Sequence, residues 1–132
     1  MTKVAILRCE KNEDRCPLTS CFQTLVNRTE GFSPYRETMP AGVFTCRCPG
    51  DHVPDLAAIL QSKGADAIHF CTCTFAKKTA DGWDMSEGGF CDHLDEVMEK
   101  VHQKTGLRCV KGSAHLPEGY TPVVMEEISH TE

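Results

Sequence analysis

The sequence changes character at Thr45-Cys46-Arg47-Cys48-Pro49-Gly50-Asp51-His52, where two thiols and an imidazole separate an apolar run from a helical pattern. The apolar run is Ala41 to Phe44, and the helical pattern begins near Val53. We therefore predict a buried strand from Gly42 to Thr45 that ends where the thiols begin. In an open α/β sheet, ligands bind in the crevice outside the carboxyl ends of the strands, so this position predicts a functional site.

Three further apolar runs are followed in the same way by a cysteine or a histidine. They are Lys3 to Arg8 before Cys9, Ala65 to Phe70 before Cys71 and Cys73, and Leu107 to Val110 before His115. Short, continuous apolar runs are typical of parallel strands that are buried on both faces. Because the carboxyl ends of parallel strands meet at one edge of a sheet, we expect these side chains to converge there.

Amphipathic patterns between the runs predict three helices. The first starts at Cys16-Pro17, the second runs from about Val53 to Lys63, and the third starts at Cys91 and ends near Gly106. This alternation predicts an α/β fold: a single, doubly wound, mostly parallel sheet of four to five strands with helices on both faces, in a flavodoxin-like arrangement.

Residues 1–115 are expected to form this domain, and residues 116–132 a C-terminal tail that packs on it, with Val123 to Met125 as an edge strand. The polar segment from Thr74 to Phe90 is longer than an ordinary connection and is expected to be a lid or an insertion.

Composition excludes several classes of function. A net charge of −5 without a run of Lys and Arg argues against nucleic-acid and anionic-membrane partners. The N-terminal apolar run is too short to be a signal or spanning segment, so we expect a cytoplasmic protein. Nine cysteines in a reducing compartment point to metal or thiol chemistry rather than to disulfides.

The order of these motifs resembles the CGGC domain family, small prokaryotic proteins regarded as metal binders because of their many cysteines and histidines. The resemblance covers about residues 3 to 115. It rests on Arg8-Cys9, Cys16-Pro17 with Cys21, Thr45-Cys46 to Cys48-Pro49-Gly50, Gly64-Ala65-Asp66-Ala67-Ile68-His69, Cys73, Cys91 and His115. Where the family name calls for Cys-Gly-Gly-Cys, this chain has the shorter Cys46-Arg47-Cys48, and Cys71 stands where the family usually has a small residue.

The strand ends and the resemblance together indicate a metal site. We expect Cys46 and Cys48 to be its first ligands, with partners among Cys9, Cys16, Cys73, Cys91 and His115. Cys21 and Cys109 are expected in the core, and His69 is expected to be a hydrogen-bonded core histidine. His52, His93, His102 and His130 are expected on the surface.

Zinc is the default metal because it accepts mixed Cys/His sites, and an iron–sulfur cluster is the alternative because it also accepts four thiolates. A different interpretation is a metal-free thiol redox or thiol-transfer protein. In it, Cys91 or Cys16 at a helix start is the reactive thiolate, and Cys46 or Cys48 resolves the mixed disulfide.

A competing motif is the Cys-x5-Arg spacing of Cys9 and Arg15, which low-molecular-weight phosphatases and arsenate reductases use to hold an oxyanion. Such loops bind the anion through backbone N–H groups and need little negative charge. Here Glu10, Glu13 and Asp14 occupy the loop. Repulsion from these carboxylates argues against an oxyanion site.

Overall fold

The computed structural model describes residues 1–128, which form one mixed α/β unit. Its strands are β1 (Thr2–Cys9), β2 (Thr38–Cys46), β3 (Ala67–Phe70), β4 (Lys77–Thr79), β5 (Gly82–Asp84), β6 (Arg108–Lys111) and β7 (Val123–Met125). Its α-helices are α1 (Thr19–Asn27), α2 (Val53–Ser62) and α3 (Leu94–Thr105). His130 lies outside the described residues.

Five of the strands form one sheet in the order β2-β1-β3-β6-β7. The pairs β2–β1, β1–β3 and β3–β6 are parallel, and β7 adds antiparallel to β6 as an edge strand. The predicted α/β fold with a mostly parallel sheet is therefore confirmed. In this order the direction of winding reverses between β1 and β3, and a ligand crevice is expected at such a point.

The two faces of the sheet are covered by different helices. Residues Ala5 and Leu7 of β1 face a core that contains residues of α2 and α3. Val4 and Ile6 face the opposite core, which contains residues of α1. Because side chains alternate along a strand, the four residues Val4 to Leu7 are all buried, which explains the continuous apolar run.

Two helices begin later than the sequence predicts, and this moves two cysteines out of the helix starts. Leu18 has a left-handed backbone conformation (φ 68°) and ends the loop before α1, so Cys16 lies in that loop. There the Cys16 sulfur accepts a hydrogen bond from the Leu18 N–H at 3.4 Å. Cys91 precedes the first residue of α3 by three positions. The predicted helix starts at Cys16-Pro17 and at Cys91 are therefore wrong.

The segment from Thr74 to Phe90 contains the antiparallel hairpin β4–β5. Its Trp83 ring stacks on the imidazole of His115, with 5.2 Å between the ring centroids. The hairpin thus contacts the loop that follows β6. Across residues 1–128, no helix has both the length and the apolar character needed to cross a membrane.

Candidate thiol site at the carboxyl edge of the sheet

The carboxyl edge of the sheet carries thiols on both of its faces. On the α2/α3 side lie Cys9, Cys46, Cys48 and Cys91, which we call the first thiol group. Cys9 and Cys46 are paired in the register of β1 and β2, so their side chains leave the sheet on the same face. Cys46 belongs to the core on that side, and Cys91 packs against it. Cys48 is exposed.

The thiols of the first group lie within electrostatic reach of one another. Burial, and after it the charges at Cys91, Cys48 and Cys9, raise the pKa of Cys46 to about 11. Burial likewise raises the pKa of Cys9 and of Cys91, and a charge at Cys48 adds to both effects. In the absence of a cation, Cys9, Cys46 and Cys91 are therefore held as neutral thiols.

Arg47 stands between the two cysteines of the Cys46-Arg47-Cys48 stretch, but its side chain is engaged elsewhere. Its guanidinium lies 3.5 Å from a carboxylate oxygen of Glu10 and 3.3 Å from one of Glu13, both in the loop after β1. These carboxylates thus attract the cation away from the thiols. Glu10 and Glu13 are two of the three acidic residues in the Cys9–Arg15 loop that argue against an oxyanion site there, and both form ion pairs with Arg47.

The turn after Cys48 approaches the Cys46 sulfur closely. Gly50 has a φ of 88°, and a Cβ atom built there would lie 3.0 Å from Cys46 Sγ. Any other residue would meet both the strain of the left-handed region and this contact. Gly50 therefore lets the loop fold over the buried thiol.

Two histidines hold the same loop. His52 Nε2 lies 3.1 Å from the Thr45 carbonyl oxygen, and His93 Nε2 lies 3.1 Å from that of Pro49. His93 Nδ1 is 2.8 Å from Asp92, and this contact raises the pKa of the imidazole. His93 Nδ1 is also 3.9 Å from Cys91 Sγ. His52, His93 and His102 are half-buried rather than fully on the surface.

On the α1 side lie Cys21, Cys71 and Cys73, which we call the second thiol group. Cys21 Sγ is 3.8 Å from Cys71 Sγ and 3.2 Å from Ser113 Oγ. The hydrogen bond from Cys71 lowers the pKa of Cys21 to about 6; burial opposes the shift, and hydrogen bonds from Ser113 and the Ala114 N–H support it. Cys71, the donor to this sulfur, has a pKa well above its ordinary value. The second group is therefore chemically unlike the first.

A cavity of about 610 Å³ opens beside the second thiol group. Of the seven ligands predicted from sequence, three line this cavity: Cys16, Cys73 and His115. The other four, Cys9, Cys46, Cys48 and Cys91, form the first group. Cys73 connects the two groups, since its charge also acts on Cys9 and raises the pKa there.

Cys21, His69 and Cys109, which the sequence predicts in the core, are all buried, but Cys21 also faces polar atoms. Cys109 is fully buried, and burial alone raises its pKa to about 12. His69 is fully buried and hydrogen-bonded, as predicted: Nδ1 lies 2.9 Å from the Gly112 carbonyl oxygen and Nε2 lies 2.7 Å from the Tyr35 hydroxyl. Cys21 is also buried, but its sulfur faces polar atoms and the cavity. The spacings Cys16-x4-Cys21 and Cys71-x-Cys73 were the sequence signal for this second group.

Within residues 1–128, the side chains do not bring three or more His, Cys, Asp or Glu residues into an arrangement that would hold a metal ion. All nine cysteines are free thiols. Metal binding by the first group would therefore require its side chains to rotate toward a common point. The donor set nevertheless fits a soft metal ion, because it consists of thiols on one face of one sheet edge.

Fold and site together define a cysteine-rich α/β domain of flavodoxin-like topology with thiol sites at the carboxyl edge of its sheet. The model of the CGGC domain family matches residues 3–114, and the chain belongs to this family. A protein of Methanocaldococcus jannaschii named only as uncharacterised is 33% identical over 104 residues, which span 74% of this chain and 80% of the relative. No solved structure matches.

Proposed function

We propose that this protein binds a metal ion, with zinc as the first choice, through the thiolates of Cys46 and Cys48 together with Cys9 and Cys91. The observation that carries the proposal is the gathering of four thiols from three separate segments on one face of the sheet edge. Burial is the main cause of the raised pKa of Cys46, and the charges of Cys91, Cys48 and Cys9 add to it, so four thiolates in this group would repel one another without a cation. A bound metal ion replaces that repulsion by attraction.

The chemistry of the donors favours zinc. Thiolates are soft ligands, and four of them form a common structural zinc site. An iron–sulfur cluster accepts the same donors and is the alternative cofactor. Membership of the CGGC domain family supports a metal ion as partner. Because each ligand must lose a proton to bind, metal affinity is expected to rise with pH across the neutral range.

The other predicted ligands have different places in this proposal. Cys73 is the next candidate because its charge acts on Cys9 across the edge of the sheet. Cys16 and His115 line the cavity, and their part in metal binding stays a prediction. Nine unpaired thiols agree with a reducing compartment, so the cytoplasm remains the proposed location.

Metal-free redox chemistry centred on Cys91 is a weaker proposal. Cys91 precedes α3 instead of lying in its first turn, so it gains little from the helix dipole. Burial also raises its pKa, whereas a reactive thiolate needs a lowered one.

The test is elemental analysis of protein purified without chelator and without affinity-column metal. We expect about one metal ion per chain in the parent and a loss of most of it in a Cys46→Ser, Cys48→Ser double variant. Cys109→Ala is the matched control, because this cysteine is buried within β6 and burial alone, without a charge from either thiol group, shifts its pKa; the variant should keep the metal. A parent without metal, or a double variant with unchanged content, would refute the proposal. Visible charge-transfer absorption in protein purified without air would assign iron–sulfur instead of zinc.

A further inference from the structure

We infer that Cys21 and Cys71 form a redox-active dithiol that is oxidised by a small anionic disulfide bound in the neighbouring cavity. The sulfur atoms of the two residues are 3.8 Å apart. A disulfide bond is about 2.05 Å long, so the sulfurs need to approach by about 1.8 Å, which side-chain rotation can supply. The site lies on the face of the sheet opposite the first thiol group.

The hydrogen bonds around Cys21 assign it the attacking role. Ser113 Oγ accepts a hydrogen bond from the Thr72 N–H at 3.3 Å, so its own proton is free to point at Cys21 Sγ, 3.2 Å away. Cys21 also lies in the first turn of α1, where the helix dipole favours negative charge. A sulfur that accepts hydrogen bonds at such a position is stabilised as the nucleophile.

Cys71 is placed to resolve the intermediate. Only 1% of its surface is exposed, compared with 8% for Cys21. A ligand in the cavity therefore reaches Cys21 more readily, and Cys71 contacts the sulfur of Cys21 from the interior. This order of access is that of an attacking and a resolving cysteine.

The cavity has the size and the charge for a small anionic ligand. Its volume of about 610 Å³ is typical of small-molecule sites. Among the described residues that line it there are three cations, Arg15, Lys77 and Lys78, and no carboxylate. Lys77 pairs with Glu87 at 3.8 Å, so Arg15 and Lys78 are, among the described residues, the cations of the lining without a carboxylate partner. In a chain of net charge −5, this lining favours a disulfide that carries carboxylates.

The reaction has two exchange steps. The Cys21 thiolate attacks one sulfur of the small disulfide, forms a mixed disulfide and releases the first small thiolate, which takes up a proton. Cys71 loses its proton and attacks Cys21 Sγ, which forms the Cys21–Cys71 disulfide and releases the second small thiolate. The second small thiolate takes up the proton that Cys71 loses. Counted from the neutral dithiol, the protein loses two electrons and two protons, and the small disulfide becomes two thiols.

The test uses oxidised glutathione as the probe and peptide mapping by mass spectrometry after an acid quench. The parent is expected to form the Cys21–Cys71 disulfide. Cys71→Ser is expected to trap one glutathione on Cys21, and Cys21→Ser to form neither product. Cys109→Ala, the matched control, should behave as the parent. A disulfide between another pair, or glutathione trapped on another cysteine, would overturn the proposal. If Cys71→Ser does not fold by circular dichroism, Cys71→Ala serves as the trapping variant.

The role of the cavity is tested by charge. Lys78→Gln should slow the reaction with oxidised glutathione about two- to threefold at low ionic strength, the effect expected of one charge several ångströms from an anion in water. Its reaction with cystamine, a cationic disulfide, should not slow down. Equal rates of parent and variant with oxidised glutathione, or equal slowing with both probes, would overturn the assignment of the cavity as the binding site.

Discussion

Acid is expected to destabilise this protein through His69. The imidazole is fully buried, and burial lowers its pKa from the ordinary 6.5 to about 4. In the folded protein the neutral ring donates from Nδ1 to the Gly112 carbonyl oxygen and accepts the Tyr35 hydroxyl proton at Nε2. As the pH falls, His69 takes up its proton near pH 6.5 in the unfolded chain but only near pH 4 in the folded protein. The contribution is therefore fully present above about pH 6.5 and is lost as the pH falls toward 4.

The size of the effect follows from the two pKa values. One pKa unit corresponds to about 1.4 kcal/mol, so a pKa lowered from 6.5 to about 4 corresponds to about 3.5 kcal/mol of unfolding free energy in full. About 3 kcal/mol of this is lost by pH 4, where half of the folded molecules carry the proton. The assay is urea unfolding of the reduced, metal-free protein, followed by circular dichroism at several values of pH between 7 and 4. His69→Gln keeps a donor and an acceptor but does not titrate.

Carboxylates also titrate in this range, and they do so in both proteins. The expected result is therefore a difference: the parent should lose about 3 kcal/mol more than His69→Gln between pH 7 and pH 4. The absolute stability of the variant at pH 7 does not enter the comparison. If the two proteins lose stability in parallel, the buried neutral imidazole is not the source of the acid sensitivity, and the reasoning fails.

Two further substitutions test the loops around the thiol groups. Ser113→Ala removes the hydroxyl that points at Cys21 Sγ, so alkylation of Cys21 at neutral pH should slow several-fold. Alkylation of Cys48 should stay unchanged. Equal labelling of Cys21 in the parent and the variant would contradict the role of the hydroxyl. Gly50→Ala should cost about 1–3 kcal/mol of unfolding free energy from its left-handed backbone, and more from the 3.0 Å contact with Cys46 Sγ. The control is Gly119→Ala, because Gly119 has a φ of 79° but open space around it. If chemical denaturation shows that both variants lose the same unfolding free energy, the contact with Cys46 Sγ is unimportant.

Much of the fold follows from local pattern. The apolar run that ends at Cys46 becomes β2, and the run that ends at Cys9 becomes β1, which pairs with a strand on each side, because a strand buried on both faces needs apolar residues at successive positions. The strand β2 nevertheless begins earlier than predicted, at Thr38. It continues through Pro40 because β2 lies at the edge of the sheet and the register shifts between Val4 and Ala5 opposite it.

The helix starts illustrate where local pattern fails. Proline after Cys16 is compatible with a first helical turn, yet Leu18 takes a left-handed conformation and α1 begins only at Thr19. Leu18 is 4% exposed, so the burial of its side chain on the α1 side accompanies this unfavourable conformation. Whether the burial of Leu18 outweighs its backbone strain depends on contacts with residues distant in the chain, and the local sequence does not contain this information.

Residue order alone places thiols after three successive strands, and therefore at one edge of a parallel sheet. How these thiols divide between the two faces of the sheet depends on the folded structure. Cys21 and Cys71 are 50 positions apart in the chain, and they meet because α1 packs on the face of the sheet toward which Cys71 points. Cys9 and Cys46 point to the other face, which α2 and α3 cover. The physical reason is that residue order limits which side chains reach the edge, whereas the packing of helices on each face sets their partners, their burial and hence their pKa values.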